Sequence, residues 1–338
     1  MIKVAINGAG RIGRAFYKLA SKRDDLEIVA INDLADIKNI AYLLKYDSAY
    51  GRSGLDVKAD GQNLVIDGKT VRYVSEKDPS LLPWKDLGVD IVVESTGLFT
   101  SYEKAKAHLD AGAKRVVISA PSKDSAEGPK AETILLGIND EKIKDSLITS
   151  NASCTTNAAS PLIAILDEAI GVEKAILNTV HGYTASQGIV DGPNKKDFKE
   201  GRAAEQNIVP TSTGAAIAVS KALPQMIGKF DGISMRVPVI SGSIADVTFI
   251  AKRNTSVEEI NELLRKAATE ERWSKVFSVT DDPIVSSDIV GSSFASIADL
   301  GLTKVIDGNL VKVCAWYDNE MGYTHALIEH VVEAGKFI

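Results

Sequence analysis

Cysteine is nearly absent from the 338 residues: Cys154 and Cys314 are the only two. Two cysteines build no disulfide framework, and with four scattered histidines they offer no zinc-ligand spacing, so no metal is expected. No apolar run is long enough to span a bilayer, and the start, Met1-Ile2-Lys3-Val4, passes straight into a strand-like pattern without a leader's charged and apolar regions. These absences point to a cytoplasmic protein in a reducing compartment, without a membrane partner. An excess of positive charge is also missing. The net charge of −6 removes a global basic footprint, and no nucleic-acid partner is expected. Internal repeats and low-complexity tracts are absent too.

What is present is an ordinary globular composition, 45% hydrophobic and 25% charged, over a length that suggests two domains. The first third alternates strand and helix patterns. Strands are read at 3–7, 27–32, 90–94, 115–119 and 147–150, with helical spacing after residue 10 and over 37–45. Asp67-Gly68 between alternating segments marks a hairpin. The fold class expected is α/β, a Rossmann-type doubly wound domain followed by an α+β domain with a largely antiparallel sheet. In the second half, strand patterns occur at 175–181, 232–238 and 245–252, and a helix over 257–269 starts from Ser256 with Glu259 completing a capping box. Residues 185–207 are polar and aperiodic, a loop long enough to be functional. The amphipathic stretch 321–334 reads as a last helix returning to the first domain.

Gly8-Ala9-Gly10-Arg11-Ile12-Gly13 follows a strand and opens a helix. In that context the three glycines serve a tight turn, close approach of a pyrophosphate, and helix–strand packing, and the helix N-terminus attracts the phosphates. Asp33 ends the second strand twenty residues later, where a carboxylate accepts from ribose hydroxyls and repels a 2′-phosphate, which favours NAD over NADP.

Cys154 lies in Asn151-Ala152-Ser153-Cys154-Thr155-Thr156-Asn157, between a strand and a helix that Pro161 is expected to bend. A helix N-terminus lowers a thiol pKa. His181 ends a later strand, from which it can pair with the thiol as thiolate and imidazolium. By spacing alone the alternative is the commoner one: a small buried cysteine and a structural histidine. Cys314, in an apolar strand, reads as core.

Several long strings carry a closer likeness: INGAGRIGR, ASCTTN, TVHGYTASQ, DGPNKKDFKEGRAAEQNIVPTSTGAA, MRVPV and WYDNEMGY. In their order and over nearly the whole chain, they resemble the glyceraldehyde-3-phosphate dehydrogenases. The resemblance implies a phosphorylating, NAD-dependent oxidoreductase of glycolysis and gluconeogenesis, with an NAD-binding domain of 1–151 and 316–338 and a catalytic domain of 152–315. It implies that Cys154 attacks the aldehyde, that His181 activates the thiol, and that a thiohemiacetal becomes a thioester which inorganic phosphate cleaves. One anion subsite would use Thr184 and Arg236. The other would use Ser153, Thr213 and Gly214, with Thr155 nearby. For the cofactor it implies Gly8, Gly10 and Gly13, backbone N–H groups of Arg11 and Ile12, Asn32 and Asp33 at the adenosine, Thr96 and Ser119 toward the nicotinamide, Asn319 on the carboxamide and Tyr323 beside the ring. The 185–207 segment resembles the family's S-shaped loop, which lies against a neighbouring subunit and implies a homotetramer.

The chain departs from the family at Ala158, where many members have a second cysteine, at Gly182, which is expected to loosen the strand end beside His181, at Ile217, where many have Lys, and at Met321, in place of an aromatic. Erythrose-4-phosphate dehydrogenase is the nearest rival reading, and Thr184 disfavours it. The Ser153 and Thr213 phosphate set disfavours a non-phosphorylating relative, and aspartate-semialdehyde dehydrogenases lack the HGYTASQ and NEMGY strings. A scaffold of the same fold without catalysis is the reading from another class.

Overall fold

The computed structural model describes residues 1–122, 124, 130–195 and 197–338. Its contacts divide them into two units. The first holds Met1–Ile134, Asn139–Ala152 and Leu327–Ile338, and the second holds Leu135–Ile138 and Ser153–Ala326.

The first unit is built on a 9-stranded sheet. Strands Ala131–Thr133, Ile148–Ser150, Arg115–Ile118, Ile91–Glu94, Ile2–Asn7, Leu26–Asn32 and Lys69–Val74 lie side by side in that order and run parallel. The apolar runs IVVE and RVVI, buried at every position, are what a sheet covered on both faces requires. Two antiparallel strands, Asn63–Ile66 and Val57–Asp60, extend one edge. The expected hairpin is there: Asp67 and Gly68 both take positive φ, 49° and 79°, the turn whose twist matches the strands it joins. Three adjacent parallel strands end in register on Asn32, Asn7 and Glu94, so three polar side chains meet at the carboxyl edge of the sheet.

A 7-stranded sheet forms the second unit, with Val172–Gly182 between Phe230–Val237 and Ser243–Ala251, followed by Leu310–Tyr317 and Ser296–Ile306. Most of its pairings are antiparallel, as expected, but Val172–Gly182 runs parallel to Phe230–Val237. Helix Cys154–Ile170 packs on this sheet and continues unbroken through Pro161. Its buried Leu162, Ile163 and Leu166 each contribute about 1.5–3 kcal/mol by leaving water. Helix Val257–Ala268 starts from Ser256, whose hydroxyl accepts from Glu259 N. The reciprocal half of the expected box is not made, because Arg253 and Thr255 take the Glu259 carboxylate.

Among the described residues of the aperiodic segment, the short turn Phe198–Gly201 is the regular element. Gly192 N donates to Gly201 O, Ala204 N to Gly188 O, and Asp191 receives both Arg202 Nε and Ala203 N. Among the described residues no helix is long and apolar enough to cross a membrane.

Candidate active site

The cysteine and histidine read from the sequence meet. Cys154 is the first residue of its helix, and Ser153 caps it: Ser153 Oγ accepts from Thr156 N at 3.1 Å while Thr156 Oγ1 reaches back. This capping box uses Thr in place of the usual Glu or Gln and was not recognisable by pattern. Ala152, just before it, is buried with φ of 54°, a left-handed conformation that costs an alanine about 1–2 kcal/mol and turns the chain sharply into the helix. On the sheet below, His181 ends its strand with Nε2 3.3 Å from Cys154 Sγ.

Register supplies the third group. His181 and Arg236 are paired residues on adjacent parallel strands, so the guanidinium lies beside the imidazole, with Nη1 2.5 Å from Nδ1. Gly182 O lies 2.6 Å from the same Nδ1. Both contacts cannot be strong at once, since one needs a hydrogen on Nδ1 and the other a lone pair. With the hydrogen on Nδ1 and bound to Gly182 O, Nε2 presents its lone pair to the thiol, which is the base tautomer.

Burial acts against charge on both members of the expected thiolate–imidazolium pair. Burial, at 3 % exposure, together with the adjacent Arg236 cation, pushes His181 down to about 3. Burial also raises the Cys154 thiol, against the opposing pull of Arg236, the Thr155 hydroxyl and the backbone N–H groups of Cys154 and Thr155. Both shifts favour the neutral thiol and the neutral imidazole, because desolvation opposes charge on either group. Cys314 is core as read, its thiol pushed up to about 12 by burial.

Two residues beside this pair escaped the sequence reading. Tyr317 OH lies 2.8 Å from both Thr155 Oγ1 and Thr179 Oγ1, and its ring stands edge-on to His181. Thr179 was findable, as it sits two positions before His181 on the same strand face. Thr184 Oγ1 meets Ser186, Thr213 Oγ1 accepts from Ala215 N, and Gly214 precedes helix Ala215–Ala222 with open space at its Cα. Gly182 does not loosen its strand. A Cβ there would stand 2.8 Å from Val239 O, so the glycine permits close packing.

In the first unit, a cavity of about 670 Å³ opens at the carboxyl ends of the parallel strands, lined by Asn7, Gly8, Gly10, Asn32, Asp33 and Thr96. Ligands bind at that edge in open α/β sheets. Gly8 has φ of 99° and a Cβ would lie 2.8 Å from Ser95 backbone; at Gly13 it would lie 1.9 Å from Gly8 O. At Gly10, which lines the cavity, a Cβ would meet nothing within 4 Å. Asp33 accepts from Ala9 N and Ala35 N, one on each oxygen, which leaves lone pairs on both for a ribose. The residues present fit a dinucleotide. Arg11 itself turns to Asp47 and Tyr50, and its backbone is what faces the glycine turn. Ser119 N donates to Glu94 O, and Tyr323 is buried on the last helix.

Comparison with known proteins follows the same division. Residues 2–102 match the family described as "Glyceraldehyde 3-phosphate dehydrogenase, NAD binding domain", and residues 153–319 the one described as "Glyceraldehyde 3-phosphate dehydrogenase, C-terminal domain". The glyceraldehyde-3-phosphate dehydrogenase of Mycobacterium avium is 49% identical, with 99% of each chain covered. Those of Clostridium acetobutylicum, with 99% of each chain covered, and Geobacillus stearothermophilus, with 97% of this chain and 96% of that one, are each 46% identical.

Proposed function

Since the chain belongs to the glyceraldehyde-3-phosphate dehydrogenase family, we propose that it oxidises glyceraldehyde 3-phosphate with NAD and inorganic phosphate to 1,3-bisphosphoglycerate. The observation that carries the reading is the 3.3 Å contact between Cys154 Sγ and His181 Nε2 at a capped helix start.

The chemistry follows from the neutral pair. As Sγ attacks the aldehyde carbon, the thiol proton passes to Nε2, and the carbonyl oxygen gains the negative charge. The backbone N–H of Cys154 and the imidazolium face that oxyanion, as a preorganised site requires. Bound NAD supplies the acceptor for the hydrogen and electron pair that leave the substrate carbon. His181 returns the proton to the oxyanion, which gives the thiohemiacetal hydroxyl and a neutral imidazole, and takes that proton back as the thioester forms on Cys154. Phosphate oxygen then attacks the thioester carbon, the C–S bond breaks, and the thiolate recovers its proton through His181. Arg236 and Thr184 are assigned to the phosphate of the substrate, and Ser153, Thr213 and Gly214, beside Thr155, to the attacking one. A forked guanidinium and hydroxyl donors match phosphate oxygens. Gly8, Gly10, Gly13, Arg11, Ile12, Asn32, Asp33, Thr96, Ser119, Asn319 and Tyr323 are assigned to NAD. The exposed Ile189, Val190, Phe198 and Ile208 of the irregular segment support assembly into a homotetramer, because clustered exposed apolar side chains mark contact surfaces. Two unpaired thiols suit the cytoplasm.

The test is formation of reduced nicotinamide by purified protein with glyceraldehyde 3-phosphate, with and without phosphate, and with erythrose 4-phosphate in parallel. Rapid phosphate-dependent turnover of glyceraldehyde 3-phosphate, lost in Cys154→Ser, is expected. Equal rates without phosphate would remove the acyl-phosphate step.

A further inference from the structure

Asn319 is 6 % exposed, and its side chain is set from inside the second unit. Gly242 N and Ser243 Oγ both donate to Oδ1, at 3.1 and 3.0 Å. Two donors on one atom identify it as the carbonyl oxygen, so the NH2 group points away from that strand end. Ser243 has one hydroxyl hydrogen, already given to Asn319. Its oxygen in turn accepts from Gly182 N at 3.1 Å. Gly182 O takes the Nδ1 hydrogen of His181 in the base tautomer. A continuous path therefore runs from the imidazole through Gly182 and Ser243 to the amide of Asn319. Its neighbour Asp318 anchors the same corner, accepting from Ser241 Oγ, Gly291 N, Glu320 N and Met321 N.

We propose that Ser243 is a positioning residue for cofactor recognition. It holds the Asn319 amide with its N–H groups available to the carboxamide oxygen of NAD, and ties that setting to the strand end that carries His181. The proposal rests on the assignment of Asn319 to the carboxamide. Ser243 is 1 % exposed and touches no ligand itself, so its action goes through Asn319. Without the hydroxyl, Gly242 N alone holds Oδ1 and Gly182 N loses its acceptor.

The experiment is calorimetric titration of the full chain with NAD and with the analogous dinucleotide bearing an unsubstituted pyridine ring. Ser243→Ala is expected to weaken NAD about three- to tenfold, the worth of one ordering hydrogen bond, and to leave the pyridine analogue unchanged. Ser243→Thr, which keeps the hydroxyl, should bind NAD as the parent does. Ser243→Cys, of similar size with a poor donor, should behave as the Ala variant and serves if that variant melts early. Equal weakening of both dinucleotides, or no weakening of either, overturns the proposal. Asn319→Ala separates the two layers. If it weakens NAD selectively while Ser243→Ala does not, Ser243 has no positioning role. If it too treats both ligands alike, the carboxamide assignment itself fails, and the proposal with it.

Discussion

Replacing Glu94 by Gln should loosen the floor of the dinucleotide cavity while barely changing its shape. Glu94 is 1 % exposed and its carboxylate is saturated with donors. Oε2 accepts from Asn7 Nδ2 at 2.6 Å and from His108 Nε2 at 3.0 Å; Oε1 accepts from Thr96 N at 2.8 Å and from the Thr96 hydroxyl. The donor assignment at His108 is forced. Trp84 Nε1 can only donate, and it lies 3.1 Å from Nδ1, so the histidine hydrogen sits on Nε2 and faces Glu94. Asn7 in turn accepts from Asn32, which is bonded through both side-chain atoms to the Glu76 backbone. Gln has one oxygen where Glu has two. Either orientation sets an NH2 against two donors, and the cheaper one lets Thr96 Oγ1 turn to accept while Thr96 N is orphaned.

An orphaned N–H at this partly buried position costs about 1 kcal/mol or more, and the bonds that remain lose their charge assistance, so a net loss of about 2–4 kcal/mol is expected. For a unit of this size that lowers the melting midpoint by about 4–16 °C. Asn7, Asn32 and Thr96 line the cavity, so NAD affinity should fall as well, by about tenfold for a loss of about 1.4 kcal/mol at the site. Trp84→Phe removes only one neutral donor and should cost about 1 kcal/mol plus its lost packing. Scanning fluorimetry with and without NAD measures the first effect and calorimetry the second. A Glu94→Gln variant that melts within a degree of the parent and binds NAD equally well would refute the reasoning, because no rearrangement of the amide satisfies all four donors.

Asp33→Ala should relax discrimination against NADP, since it removes the charge that repels a 2′-phosphate; affinities for the two cofactors check this, and unchanged discrimination would show that Asp33 has no ribose role. It should also lower stability by about 1–3 kcal/mol, because Ala9 N and Ala35 N lose their acceptors. A third expectation concerns pH. Burial depresses both His181 and His330 to about 3, below the ordinary 6.5. The unfolded chain therefore binds the extra protons. The stabilisation is complete above about pH 6.5 and is lost as pH falls toward 3, by about 1.4 kcal/mol per pH unit for each histidine. His330→Asn keeps the donor to Asn151 Oδ1 and should flatten the acid limb of urea midpoints by one proton; an unchanged slope would mean that His330 does not remain neutral in the fold.

Wherever function depends on spacing along one segment, the chain is readable. The glycine turn, Asp33 at a strand end, Cys154 at a helix start and the Asp-Gly hairpin are all local, and each lies where local rules put it. The helix cap at Ser256 was legible for the same reason, although Glu259 chose a neighbouring arginine over the backbone. Local rules are silent on the burial that acts on the charge of Cys154 and His181. The helix terminus is visible in a sequence, but the desolvation that opposes it depends on what the rest of the sheet buries.

What no spacing rule reveals is register between distant strands, and register makes the supporting groups. Arg236 reaches His181 because residue 181 pairs with residue 236, and the same pairing places Thr179 opposite Ser234. Asn32, Asn7 and Glu94 form one row because three strands end together. Ser243 meets Asn319 through a strand pairing that sets it opposite Tyr317, two residues earlier in the chain. A one-residue slip of any of these strands would send every such side chain to the other face while leaving the sequence motifs intact. The motifs therefore mark the candidate reacting atoms, whereas the pairing sets which groups surround them. A variant that alters pairing alone, such as a side chain at Gly232 that would press a Cβ to 2.5 Å from Leu177 O, should impair the site from beyond every motif.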